Sequence, residues 1–149
     1  MTLPTSGLVA AAERLLNPPP GTAEALAPGT RARAAAALLR LALDETMNGY
    51  WRRISPGMTR SKGRTKMLCL AYYAGPQVAR RWYAVWAALS SACHHHSYEL
   101  PPTPAEIRAR VPDVAELIRS LPDPPAGDGR ERPGGRPGRS AGRSVSGPR

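Results

Sequence analysis

The sequence predicts an all-α protein: a four- to five-helix bundle with a disordered basic C-terminal tail. Three observations carry that expectation. Apolar residues recur at three- and four-residue steps over most of the first 121 positions, the period of a helix with one buried face. Clusters of proline and glycine (Pro18-Pro19-Pro20-Gly21, Pro56-Gly57, Gly75-Pro76, Pro101-Pro102) separate these stretches. β-branched residues are sparse, and no hairpin dipeptide sits between alternating runs, so no strand is predicted. A chain of 149 residues suits one domain with a single core.

The first predicted helix is Ser6 to Leu16, with Thr5 or Ser6 as its cap and Leu8, Ala11 or Ala12, Leu15 and Leu16 at helical spacing. Asn17-Pro18-Pro19-Pro20-Gly21 ends it, because proline cannot continue the hydrogen-bond ladder. A Pro/Ala/Gly linker follows to Gly29. Thr30 is the expected N-cap of a second helix, Arg31 to about Arg53, with Ala35, Leu38, Leu39, Ala42, Leu43, Met47 and Tyr50 as its stripe. Asp44 stands four residues after Arg40, the spacing of a helix-surface ion pair.

Residues 54–64 read as a basic loop, broken by Pro56-Gly57 and Gly63. A short third helix follows from Thr65 to Tyr73, with Met67, Leu68, Leu70 and Ala71 available for packing; a buried strand is the competitor for KMLCLAYY. Gly75 separates it from a fourth helix that starts at Pro76, a residue suited to the first helical position. Val78, Trp82, Val85, Trp86, Leu89, Cys93 and His96 continue one face of that helix into three consecutive histidines. Pro101-Pro102 closes the segment. Thr103-Pro104-Ala105-Glu106 is a capping box. Ile107, Val111, Val114, Leu117, Ile118 and Leu121 form the last stripe, which Pro112 should kink or split. Beyond Leu121 almost nothing is apolar, and such a segment cannot offset its ordering entropy. The expected organisation is an N-terminal helix and linker (1–29), a bundle (30–121) and a tail (122–149).

The net charge of +10 is unevenly spread. Between Thr46 and Tyr98 stand eight basic residues (Arg52, Arg53, Arg60, Lys62, Arg64, Lys66, Arg80 and Arg81) and no acid. A field of one sign favours anionic partners such as nucleic acid. Every aromatic residue of the chain lies inside the same stretch. Cations interleaved with aromatics can hold a single strand by phosphate contacts and stacking. Trp82, Trp86 and Tyr50 have core spacing, which leaves Trp51 and Tyr83 as the exposed candidates. The competing account is a structural or protein-interaction module whose charge is incidental.

His94, His95 and His96 are the chemical candidates. Histidine titrates near neutrality, so two of them can act as base and acid, with Arg40 stabilising charge on a phosphate if the second and fourth helices are neighbours. That is the pattern of a metal-independent ribonuclease. The bland alternative is a hydrogen-bonded core His96, with the other two beside the negative helix end. A metal site would have to join Cys93 or Cys69 to His96 and Glu99; no HExxH, CxxC or second histidine cluster is present, so no metal or cofactor is expected. The two cysteines make no disulfide framework, no signal peptide is expected of an N-terminal stretch without a basic start that meets Glu13 and Arg14 early, and no apolar run can span a membrane. A reducing cytoplasm is the expected location.

The helix RAAAALLRLALDETMNGYW, followed by a short helix and a long one ending WAALSSACHHHSYEL, resembles the HEPN domains, over roughly Thr30 to Leu121 and most of all the small actinobacterial ones. The resemblance implies a small helical bundle of defence or toxin–antitoxin systems, often dimeric. Active HEPN ribonucleases carry an arginine, then four to six residues, then a histidine, with a polar residue next to the arginine. Ala87, Ala88, Leu89, Ser90 and Ser91 occupy those positions here, and Arg81 is too far upstream. The resemblance therefore implies a non-catalytic member that binds RNA, nucleotide or a partner protein, with the ribonuclease as the alternative.

Overall fold

The computed structural model describes residues 4–22, 25–94 and 98–121; the tail expected to be disordered lies outside them. The described residues are helical, in the order α1 (Thr5–Leu16), α2 (Pro28–Ile54), a 3-10 turn (Pro56–Arg60), α3 (Gly63–Ala74), α4 (Pro76–Cys93), α5 (Pro104–Arg108) and α6 (Val111–Ser120), with no strand among them.

The 27 residues of α2 span about 40 Å at the helical rise, and the others pack around it. Ala32, Ala35, Ala36 and Ala42 are fully buried on α2. Their small side chains let α1 approach closely, and α1 answers with Leu8, Ala12 and Leu16 at four-residue steps. From the other side α4 contributes Ala79, Trp82, Val85 and Leu89. Ile107 of α5 and Val114 and Leu117 of α6 close the end of the same core.

Local chemistry explains the boundaries. Pro28 opens α2, two residues before the expected cap: its fixed φ suits the first turn, and Thr30 becomes an ordinary first-turn residue. Similarly, α1 begins at Thr5 behind Pro4, without a side-chain cap. Gly75 joins α3 to α4 at φ 94°, where a side chain would be strained. The capping box is complete: Thr103 Oγ1 accepts from the Glu106 N–H at 3.2 Å, and Glu106 Oε2 accepts from the Thr103 N–H at 2.8 Å. The expected last helix divides into α5 and α6, with Pro112 in the first turn of α6 rather than inside a continuous helix. Arg108 ties α5 to the end of α1, donating to Asn17 Oδ1 at 3.0 Å and to the Leu16 carbonyl at 2.7 Å.

The third helix, α3, leans on α4 through the fully buried Leu70, while touching α2 only sparsely along its length. At its far end Tyr73 meets the edge of Trp51, with ring centres 5.5 Å apart. A space is left between α2 and α3, with α4 beneath it.

Candidate nucleic-acid interface

That space is a groove of about 1020 Å³, at the upper end of small-ligand clefts. Met47 of α2, Met67 and Ala71 of α3, and Ala79 and Trp86 of α4 give it an apolar lining. Arg64, Lys66, Arg80 and Tyr83 border it as well. Four of the residues singled out in the sequence thus converge on one concave surface. Tyr83 is 59% exposed, so its ring is open to a stacking partner. Lys66 Nζ donates to Asn48 Oδ1 at 2.8 Å, and Arg80 Nε to the Pro76 carbonyl at 3.3 Å. Among the described residues none of the three cations is ion-paired with a carboxylate.

One carboxylate lines the groove. Asp44 accepts the indole N–H of Trp86 at 2.9 Å, and the Arg40 Nε stands 3.7 Å from its other oxygen. The Arg40 guanidinium lies over the Trp86 ring, 5.2 Å from its centre. Arg40 therefore reaches the fourth helix, as its position allowed, and also keeps its intrahelical partner. Burial raises the Asp44 pKa above its ordinary value, outweighing the Trp86 hydrogen bond and the Arg40 and Lys66 charges that act the other way.

Two proposed nucleic-acid contacts are corrected. Trp51 is fully buried. Its ring sits edge-on to Tyr50 and Tyr73, and its indole N–H meets the Met47 sulfur at 3.2 Å, so it offers no face to a base. Arg81 turns away from the groove to α6. Its two terminal nitrogens bind both Glu116 oxygens at 2.7 and 2.8 Å, and one also reaches Asp113 at 3.0 Å. Those bonds raise its pKa, and Arg81 in turn lowers that of Glu116. Arg52, Arg53, Arg60 and Lys62 are exposed outside the groove, on the end of α2, the 3-10 turn and the residue preceding α3.

The histidine cluster is only partly in view. The fourth helix ends at Cys93, and His95 and His96, expected to follow it, lie outside the described residues. His94 caps α4 in an extended conformation, its backbone N–H donating to the Ser91 carbonyl at 3.2 Å. It lines a second cavity, of about 470 Å³, with Arg33 and Arg110 and with Glu99 and Glu106. Arg40 lines neither cavity. Arg33 Nε is buried without a hydrogen-bond partner, and neither Arg33 nor Arg110 was singled out in the sequence. Burial raises the Cys93 thiol pKa, against the opposing charge of Arg40, which disfavours a reactive thiolate.

Of the other groove residues, Asn48 was missed, and Asp44 entered the sequence reading only as the ion-pair partner of Arg40. The two stand four residues apart on α2, a polar stripe beside the apolar one, and that spacing was the available signal. No helix among the described residues is long and apolar enough to cross a membrane. Compared with known proteins, the chain matches no family model, no curated protein and no solved structure.

Proposed function

We propose that this chain is a non-catalytic module that binds single-stranded RNA or nucleotides in the groove between α2, α3 and α4. One observation carries the proposal: Arg64, Lys66, Arg80 and an exposed Tyr83 border a single groove with an apolar lining. Phosphates supply charge to the rim, and bases supply flat apolar faces to the interior and to Tyr83. The HEPN-like resemblance accords with such a role in a cytoplasmic defence or toxin–antitoxin system, alone, as a homodimer or with a partner protein, because the arginine of the nuclease motif is missing.

The test is incubation of the full chain with end-labelled single-stranded RNA, without added metal, resolved on native and denaturing gels. Intact RNA that shifts at low salt and is released at high salt is the expected result. RNA that neither shifts nor shortens overturns the proposal. A second reading, a metal-independent ribonuclease, draws on His94 sharing a cavity with Arg33 and Arg110. RNA shortened by the wild-type chain and spared by His94→Ala would favour it.

A further inference from the structure

The α2 wall of the groove carries two polar side chains with unused hydrogen-bonding capacity. Asp44 and Asn48 lie one turn apart on α2, and both line the groove. Lysine has donors only, so the oxygen of the Asn48 amide must be the atom facing Lys66, at 2.8 Å. The Asn48 NH2 group is thereby oriented away from Lys66 as a donor. Asp44 uses Oδ1 for the Trp86 indole and has Arg40 near Oδ2. Each carboxylate oxygen offers two acceptor positions, so both retain capacity. Asp44 thus keeps acceptor capacity on both oxygens and, one turn on, Asn48 keeps its NH2 donors.

The Watson–Crick edge of guanine carries two donors, N1–H and the N2 amino group, followed by the O6 acceptor. It complements all three positions. Adenine, cytosine and uracil can each satisfy at most two, since none carries two donor groups on this edge. Trp86, Met47 and Met67 supply apolar surface for the base plane, and Arg64 and Arg80 border the same groove as cations for the attached phosphates. We propose that the groove selects guanine, with Asp44 accepting from N1–H and the N2 amino group and Asn48 donating to O6. This rests on the nucleic-acid reading of the groove.

The experiment is competition fluorescence anisotropy with the full chain at low salt. The probes are short uridine oligonucleotides carrying one central guanosine, inosine, adenosine or cytidine, beside the all-uridine strand. Inosine differs from guanosine only in lacking the N2 amino group. The guanosine strand should bind on the order of tenfold more tightly than the inosine strand, as for a well-formed bidentate base contact. Asp44→Asn should abolish that difference, because one acceptor becomes a donor while its amide oxygen can still accept from Trp86. Equal binding of all the strands overturns guanine selection and leaves the binding reading standing. No binding of any strand at low salt overturns both.

Discussion

Salt is the most direct probe of the groove, because the structure separates cations that face it from one that does not. Arg64, Lys66 and Arg80 border the groove, and each can neutralise one phosphate. On a single strand each such contact contributes a slope of about −0.7 to the dependence of log affinity on log salt, so three give about −2. A fourfold rise in salt should then weaken binding about twentyfold. Arg80→Ala removes one contact and should reduce the slope to about −1.4, so that the same rise costs only about sevenfold. The substitution removes one exposed side-chain hydrogen bond, to the Pro76 carbonyl of the same helix, so the fold should survive. Arg81→Ala is the control: its guanidinium is held by Glu116 and Asp113 on another face, and its loss should leave the slope unchanged. The assay is anisotropy of labelled single-stranded RNA titrated at several potassium chloride concentrations. A slope near zero, or equal reductions in both variants, would refute the assignment of charge to this groove.

The packing and the titrating groups set four further outcomes. Trp51→Ala should cost about 3–5 kcal/mol, the usual range for emptying a large aromatic site, measured by denaturant unfolding; a loss below about 1 kcal/mol would contradict the burial described. Gly29→Ala should destabilise instead of giving the gain of up to about 1 kcal/mol usual for alanine over glycine in a helix, because its Cβ would lie 2.7 Å from Cβ of Pro101; thermal unfolding reads the sign. The Glu106 pKa is lowered, first by the Thr103 backbone N–H and then by the Thr103 side chain. Its contribution is therefore present above the ordinary carboxylate range and lost as pH falls through the depressed value, so the Tm advantage of wild type over Glu106→Gln should fade in acid. Asp44 has the opposite sign: burial raises its pKa, so its charge costs stability above the ordinary value, and Asp44→Asn should raise Tm at neutral pH and lose that gain in acid.

The parts of the fold legible in the sequence are those set by local physics. The three-and-four spacing of Leu8, Ala12 and Leu16, of Trp82, Val85 and Leu89, and of Val114 and Leu117 marks buried faces that the structure shows as such. Thr103-Pro104-Ala105-Glu106 announces its helix because both bonds of the cap lie within four residues. Trp51 shows where periodicity stops. It follows Tyr50, about a hundred degrees round the helix, and one stripe cannot bury both. The end of α2 is enclosed on two sides, by Tyr73 of α3 as well as by the core, and only the tertiary arrangement reveals the second wall. Arg81 is similar: its partners stand 32 and 35 residues away, beyond any local pattern. The groove has the same origin, since no spacing in KMLCLAYY says that α3 will rest on α4 and stay away from α2.

The distribution of carboxylates argues that the groove is more than leftover space. Asp113 and Glu116 are placed on α6, where they neutralise Arg81, and the residues from Thr46 to Tyr98 hold no acid at all. The groove nonetheless contains one acid, Asp44, at a position where burial disfavours its charge. An amide at that position could still accept from Trp86 without a charge to desolvate. What an amide lacks is a second oxygen, so it cannot meet two donors on one base edge while also holding the indole. A carboxylate there, beside the Trp86 indole and Arg40, keeps acceptor positions that an amide would lack. It also gives the Asp44→Asn variant two readouts of opposite sign: greater thermal stability at neutral pH and poorer discrimination between guanosine and inosine. A variant that loses stability and discrimination together would instead mark Asp44 as a structural tie between α2 and α4.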